Sequence, residues 1–174
     1  GLKADLRFVE NPDWGLANGV SVLAAADVLQ QRYLLMMAEH LFDPAMIARI
    51  REVELADDEV MLAVDRKLET IYDMGDATKV LVKGKVPRII DIGKQIANFN
   101  GVDAGLFACS GVLIDCLSEL KGAQGDCSLT EGMKVLLLNG RFRALDIGDA
   151  WWQDVDTPGA LAHGAKLFRS QGSG

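Results

Sequence analysis

Residues 33–64, YLLMMAEHLFDPAMIARIREVELADDEVMLAV, decide the fold class because they contain a strand, a helix and a second strand in succession. Residues 33–38 are entirely apolar and are predicted to form a buried strand. Asp43 and Pro44 predict the start of a helix, since Asp is a favoured cap and Pro suits the first helical position. Residues 60–64 are again apolar, and a second buried strand is predicted over 59–64. This order predicts a right-handed crossover between parallel strands.

The segments on either side continue the alternation. Towards the N-terminus we predict a strand at 6–9 and a helix at 20–31. Towards the C-terminus we predict a hairpin over 80–92, strands at 102–109 and 142–147, an extended segment at 151–155, and helices at 110–120, 129–138 and 157–168. We therefore expect an α/β, Rossmann-like fold whose sheet is mixed but mostly parallel, with flanking helices and a small β-hairpin subregion. We expect residues 1–169 to form one domain and residues 170–174 to form a flexible tail or linker.

Composition limits the function classes. The formal net charge is −7, which argues against a nucleic-acid or anionic-membrane surface. The chain has three cysteines and two histidines without zinc-ligand spacing, so we predict reduced thiols in a cytoplasmic protein. No apolar run approaches the roughly 18 to 20 residues that span a bilayer, so we expect no membrane contact from this domain.

Glu39 and His40 are the first candidate site residues, because they directly follow the predicted strand at 33–38. Ligands of open parallel sheets bind outside the carboxyl ends of the strands, which is where these two side chains are expected to lie. The alternative is that both residues only precede and cap the helix that starts near Asp43.

Asp154 and Asp156 are the second candidates. We expect one of them to enter the crevice while the other stays in solvent or caps the helix at Pro158. Mg²⁺ prefers carboxylate oxygens and usually takes only one or two from protein. One carboxylate from Glu39 and one from this segment would form such a site, whereas the alternative is that Asp156 or Thr157 is only a helix cap.

A third group of candidates lies in the middle of the chain. Lys94 follows a glycine and is a candidate for contacting a phosphate, and Asp103 is a candidate for accepting hydrogen bonds from hydroxyl groups. Asp76 precedes the predicted hairpin and is interpreted chiefly as a turn residue.

Seven segments in fixed order resemble the nucleotidyltransferase family of sugar-phosphate and alcohol-phosphate activators, and within it most closely the inositol-1-phosphate cytidylyltransferase domains. They are NPDWGLANGVSVLAA (11–25), LLMMAEHLFDP (34–44), LAVD (62–65), DATKV (76–80), IGK (92–94), FNGVDAGLF (99–107) and WWQDVDTPGALAHG (151–164). The resemblance implies the nucleotide-diphospho-sugar transferase type of fold. The family begins with a strand and a glycine-rich, arginine-bearing loop for the triphosphate, and no such loop precedes Ser21. We therefore expect an N-terminally incomplete domain, with loss of the triphosphate grip as the alternative.

The resemblance implies a role for each matching residue. Asn18, Gly19, Ser21 and His40 match the nucleotide-binding segments, and Lys94, Asp103 and Gly105 match the acceptor-binding ones. Asp156 matches a metal-binding carboxylate, with Asp154 as the fallback. Glu39 stands where the family usually has a metal-binding Asp. Lys94, Glu39 and Asp156 are thus the implied catalytic residues, with Mg²⁺ as the cofactor.

The implied reaction transfers CMP from CTP to inositol 1-phosphate and gives CDP-inositol and pyrophosphate. Three alternatives stay open: another nucleoside triphosphate with a sugar phosphate or phosphocholine as acceptor, an inactive remnant that acts as a binding module, and a structural partner that uses Trp151 and Trp152 as an interface. The resemblance also implies a pathway of phospholipid biosynthesis, in which such domains are often fused to a membrane-embedded CDP-alcohol phosphotransferase at the cytoplasmic face. It allows a homodimer.

Overall fold

The computed structural model describes residues 5–171, which form a sheet with helices on its faces. The helices are α1 (Asn18–Ala24), α2 (Pro44–Arg51), α3 (Val112–Gln124), α4 (Leu129–Leu138) and α5 (Pro158–Gln171). The strands are β1 (Arg32–Met36), β2 (His40–Phe42), β3 (Val60–Asp65), β4 (Lys79–Lys83), β5 (Arg88–Gly93), β6 (Gly101–Ser110), β7 (Phe142–Asp146) and β8 (Trp152–Asp154). In the part of the chain that the structure describes, no helix has the length and apolarity required to cross a bilayer.

The main sheet has six strands in the order β1-β6-β3-β7-β5-β4, and β4 also pairs with the start of β6. The expected mixed α/β class is confirmed, but the expectation of mostly parallel pairing is wrong. Between residues 5 and 171, only β3 and β7 pair in parallel within this sheet. β1, β3 and β7 do run in one direction, as the predicted crossovers require. The difference arises because β6 inserts between β1 and β3 and runs antiparallel to both.

Two apolar clusters cover the two faces of the sheet. One cluster packs α3 and α4 against the sheet, with Leu117 and Met133 almost fully buried. The other packs α2 against the opposite face through Met46 and Ile50. All six residues of β3 are buried because this strand is covered on both faces. The predicted buried strand at 59–64 is therefore confirmed as β3.

Helix starts follow the predicted capping chemistry. The Asp43 carboxylate accepts a hydrogen bond from Ala45 N at 2.9 Å, and Pro44 occupies the first turn of α2. Thr157 Oγ1 accepts from Ala160 N at 3.1 Å at the start of α5. This last helix continues to Gln171, so the predicted tail at 170–174 begins as helix. Residues 172–174 lie outside the described part of the chain.

Several local predictions need correction. Residues 6–9 form no strand, and Phe8 is 92% exposed. The predicted helix at 20–31 ends at Ala24, and a short 3₁₀ turn follows. β1 is half-buried rather than buried because, within residues 5–171, it is an edge strand paired only with β6. The three cysteines are buried free thiols in the structure.

Candidate active site

The candidate site is built around the two-stranded ribbon of β2 and β8, which joins segments more than 100 residues apart. Antiparallel pairing sets His40 opposite Asp154 and Phe42 opposite Trp152. The ribbon extends at its end, where Val155 N donates to the carbonyl of Glu39 at 3.0 Å. Glu39 and the acidic segment after β8 are therefore neighbours.

A cavity of about 260 Å³ lies beside this ribbon and is called the central cavity here. Seven of the ten predicted site residues line it: Asn18, Glu39, His40, Lys94, Asp103, Gly105 and Asp154. They come from α1, the β1–β2 connection, β2, the end of β5, β6 and β8. The fold thus brings together groups that the sequence separates widely.

An acidic trio, Asp76, Asp154 and Asp156, lies at the edge of this cavity. One carboxylate oxygen from each residue lies within 4.8 Å of the other two. Asp154 lines the central cavity, whereas Asp156 is exposed and lines the adjoining cavity of about 470 Å³. Asp156 follows β8 in a bend, and one of its carboxylate oxygens still comes within 4.8 Å of those of Asp154 and Asp76.

The trio has the chemistry of a site for a hard divalent cation. Asp154 Oδ1 is buried and accepts no hydrogen bond from the described residues. Buried polar atoms nearly always have a partner, so this oxygen is suited to a ligand. Carboxylate oxygens are also the donors that Mg²⁺ prefers.

The imidazole ring of His40 is held in a fixed position beside Asp154. Its Nδ1 lies 2.9 Å from the carbonyl oxygen of Ala104, and since a carbonyl only accepts, Nδ1 carries the proton. Its Nε2 lies 3.7 Å from Asp154 Oδ2. The ring also packs against Trp152, with centroids 5.2 Å apart.

Gly105 leaves the space that the imidazole ring occupies. It has a φ of +76°, and a Cβ atom there would lie only 2.2 Å from His40 Nδ1. Its N–H donates to Asp103 Oδ1 at 2.7 Å. The requirement for glycine therefore follows from the backbone and from His40, without any contact to an acceptor.

Burial and charge raise the pKa of two carboxyl groups in the site. Loss of solvent raises the pKa of Asp103 to about 6, although the Gly105 N–H and His40 favour the charged form. Loss of solvent also raises the pKa of Asp154, and the nearby carboxylates of Asp156, Glu39 and Asp76 act in the same direction. A cation beside Asp154 would reverse this effect, because opposite charge stabilises the carboxylate.

Lys94 connects the acidic trio to the central cavity. Its Nζ lies 2.5 Å from Asp76 Oδ1, and both side chains are more than half exposed. The neighbouring Lys79 donates to the backbone oxygen of Lys94 at 2.9 Å, which fixes the start of the loop after β5. Lys94 thus lies where a phosphate beside the trio would meet a positive charge.

The predicted nucleotide-binding residues of α1 have mixed surroundings. Asn18 lines the central cavity, and its Oδ1 accepts from Leu129 N at 2.9 Å. Ser21 lines an adjoining cavity of about 460 Å³, the α1 cavity. Gly19 is buried, and a Cβ atom on it would lie 2.6 Å from the carbonyl oxygen of Cys127. Packing alone therefore explains why residue 19 is glycine, and no contact with a nucleotide is needed.

Asp76 is the residue whose importance the sequence analysis missed. It was interpreted as a turn residue, and it belongs to the trio in place of Glu39. A usable signal was present, because residues 66–78 follow the carboxyl end of the buried strand β3, where ligand sites of such sheets occur.

A larger cavity of about 470 Å³ opens on the other side of the trio. It shares Asp76, Trp152 and Asp154 with the central cavity, and Asp156 also lines it. Trp152 Nε1 donates to the buried Asp65 at 3.0 Å. Trp151 and Trp152 both line this cavity and are partly buried, so they do not form a fully exposed pair.

Four similar curated sequences share one name, and a fifth is named as the bifunctional protein GlmU. No protein-family model matches the chain. A bifunctional IPC transferase and DIPP synthase of Rubrobacter xylanophilus is 36% identical over 154 residues, which are 88% of this chain and 34% of that protein. A protein of the same name from Thermococcus kodakarensis is 27% identical, over 94% of this chain and 35% of its own length. The chain thus spans about a third of the length of these curated relatives.

Solved structures agree with the sequence comparison. The inositol-1-phosphate CTP transferase from T. maritima has a TM-score of 0.74 and 28% identity, over 87% of this chain and 60% of that one. A glucose-1-phosphate thymidylyltransferase from Bacillus anthracis shares the fold, with a TM-score of 0.69, 15% identity, and coverage of 84% of this chain and 58% of that one. Because the sequence and fold comparisons agree, the chain belongs to the nucleotidyltransferase family and is similar to inositol-1-phosphate CTP transferases.

Proposed function

We propose that this chain is the catalytic part of a nucleotidyltransferase that transfers CMP from CTP to inositol 1-phosphate, releasing pyrophosphate. The observation that carries the proposal is the contact between the acidic trio and Lys94, whose Nζ lies 2.5 Å from Asp76 Oδ1. A cation site beside a phosphate-binding cation is what transfer between two phosphates requires. The choice of CTP and inositol 1-phosphate comes from the names of the similar proteins.

The central cavity would hold the reacting phosphates. Lys94 would bind the phosphate of the acceptor and keep it beside the trio, where Asp154 and Asp156 would hold Mg²⁺ together with Asp76. The bound metal would supply positive charge that offsets the charge of the phosphates during transfer. Catalysis of this type depends on positioning and electrostatics more than on a covalent intermediate. Glu39 lines the same cavity and remains a proposed additional carboxylate ligand.

The nucleotide would extend from the central cavity towards α1. The central and α1 cavities share Asn18, Met37 and Glu39 as lining residues, so they adjoin each other. Ser21 lies in the α1 cavity, which supports its proposed role next to the base or ribose. Asp103 lines the central cavity and is proposed to bind acceptor hydroxyl groups.

The proposal is tested with the full-length gene product. Pyrophosphate release is measured with inositol 1-phosphate and each of CTP, UTP, GTP and ATP, with magnesium and with EDTA. The proposal predicts magnesium-dependent turnover that is fastest with CTP, and CDP-inositol as the product. Turnover only with a hexose 1-phosphate or with phosphocholine would move the assignment to another acceptor. Nucleotide binding without any turnover would identify a binding module instead.

The relatives' names also suggest a larger setting, which we include in the proposal. Because those proteins are named as bifunctional and this chain matches about a third of each, the transferase would be one part of a two-activity protein. We propose that it acts at the cytoplasmic face of a membrane. A homodimer remains a prediction that sedimentation of the purified protein would test.

A further inference from the structure

We propose that Asp65 is a positioning residue of the metal site, because its buried carboxylate holds Trp152 and so fixes the strand β8 that carries Asp154. Asp65 ends the segment LAVD and belongs neither to the acidic trio nor to the proposed phosphate contacts. The inference rests on the proposed function in one respect, namely that Asp154 is a ligand of the divalent cation.

The first argument is that the hydrogen-bond partners of the Asp65 carboxylate in the described chain are all donors. Asp65 is 3% exposed and lies at the end of the central strand β3. Its Oδ1 accepts from the backbone N of Lys67 at 2.8 Å and lies 2.9 Å from Lys67 Nζ, while its Oδ2 accepts from Trp152 Nε1 at 3.0 Å. Because an amide has one oxygen and one donor group, Asn at this position would leave one of the two sides without an acceptor.

The second argument is that Lys67 extends this contact to the connection between β7 and β8. Its Nζ also donates to the carbonyl oxygens of Gly148 at 2.6 Å and Ala150 at 3.1 Å. An ammonium group has three protons, and Asp65 and these two carbonyls supply three acceptors. Lys67 lines the cavity of about 470 Å³, but its donors are already used, so we assign it to holding the chain and not to binding a phosphate.

The third argument is that β8 is not a strand of the main sheet. Within residues 5–171 it pairs only with β2, through three residues of each strand. The bond from Trp152 to Asp65 therefore ties this ribbon to the end of the central strand. Trp152 and Asp154 are two residues apart on β8, so a shift of the indole ring also moves the backbone that carries the Asp154 carboxylate. Metal ligands must be held within about 0.5 Å of the geometry that the ion requires.

The test uses the full-length protein, Mn²⁺ as the probe, and two conservative variants that break the same bond from either end. Asp65→Asn removes one acceptor, and Trp152→Phe keeps an aromatic ring but removes the N–H group. We expect each variant to weaken Mn²⁺ binding by about tenfold, the lower end of the effect of residues that support metal ligands. Because the bond is lost only once, the double variant should also bind about tenfold more weakly, whereas independent effects would multiply to about 100-fold.

Calorimetry gives the Mn²⁺ affinity, and urea unfolding gives the stability of the same samples. Trp14→Phe is the matched control, since Trp14 is 82% exposed and lies outside the cavities around the trio, and it should leave Mn²⁺ affinity unchanged. A metal-free spectrum checks the bond itself. The chain has three tryptophans, so ¹⁵N correlation spectra contain three indole N–H signals. Trp152→Phe identifies one of them by its loss, and Asp65→Asn should shift that signal while the Trp14 signal stays in place.

Mn²⁺ affinity within about twofold of wild type in both single variants would show that Asp65 only supports the fold, whatever the change in stability. Weaker binding in Asp65→Asn but not in Trp152→Phe would overturn the role of the bond to Trp152. If Asp65→Asn does not fold, Trp152→Phe decides alone. Failure of the wild-type protein to bind Mn²⁺ would reject the cation site and with it this role of Asp65, whereas wild-type binding that the variants leave unchanged would reject only the role of Asp65.

Discussion

Gly105→Ala is the substitution whose cost the structure determines most closely. The residue has a φ of +76°, and a left-handed backbone costs about 1 to 2 kcal/mol for a residue with a side chain. The new Cβ atom would also lie 2.2 Å from His40 Nδ1, so the ring must move and lose its bond to Ala104. A hydrogen bond of this kind contributes about 1 kcal/mol. The expected loss in the free energy of unfolding is therefore about 2 to 3 kcal/mol.

A matched control separates the two causes. Gly125 has a similar φ of +82°, but a Cβ atom there would meet nothing within 4 Å. Gly125→Ala therefore carries the backbone cost without the steric one and should lose about 1 to 2 kcal/mol. Gly122→Ala, inside α3 with open space around it, should change stability little or raise it by up to about 1 kcal/mol.

Urea unfolding followed by circular dichroism measures all of these variants at one pH. In addition, His40→Ala should relieve the clash, so the double variant with Gly105→Ala should lose about 1 kcal/mol less than the sum of the single changes. If Gly105→Ala costs no more than Gly125→Ala, and the double variant is additive, the contact between Gly105 and the imidazole has no energetic weight. The claim that Gly105 is glycine because it makes room for the His40 ring would then be wrong.

Two further predictions concern the acceptor and the pH dependence. Lys94→Ala should raise the acceptor KM much more than the CTP KM in steady-state assays, because its Nζ lies beside the trio. Lys85→Ala, in the exposed hairpin turn, serves as the control. An unchanged acceptor KM would show that Lys94 does not belong to the site. Burial raises the pKa of Asp103 from 3.8 to about 6. Between pH 3.8 and about 6 the folded protein therefore binds more protons than the unfolded chain. As a result, the free energy of unfolding falls as the pH rises through this range. When the pH is raised from 4.5 to 7, the free energy of unfolding of Asp103→Asn should rise by roughly 2 kcal/mol relative to that of the wild type, as measured by urea unfolding. A difference between the two proteins that does not vary with pH would contradict the raised pKa of Asp103.

Local signals in the sequence predicted elements whose own residues determine them. The Asp43-Pro44 cap and the apolar run of β3 gave α2 and a central strand, because capping and burial depend on neighbouring residues in the chain. The direction of strand pairing was not predictable in this way. It depends on β6 inserting between β1 and β3, and no local pattern in residues 101–110 indicates which strands will flank it.

The site shows the same division between local and distant information. The convergence of the segment at Glu39 and His40 with the one at Asp154 was expected from the resemblance, and strand pairing between β2 and β8 brings them together. The membership of Asp76 in the trio was missed, because it depends on how the loop at 66–78 folds back. The position of the His40 ring against Gly105 was also not predicted, since residues 40 and 105 are distant in sequence and meet only in the folded chain.

The most direct test of the account is the affinity of the acidic trio for a divalent cation. Mn²⁺ is titrated by calorimetry into the wild-type protein and into Asp76→Asn, Asp154→Asn and Asp156→Asn, with Asp115→Asn on the exposed face of α3 as the control. We predict one strong site in the wild type and the control, and a Kd at least about tenfold higher in each trio variant, because each loses a carboxylate ligand. Equal Mn²⁺ affinity in all five proteins would contradict the claim that these three side chains form the metal site.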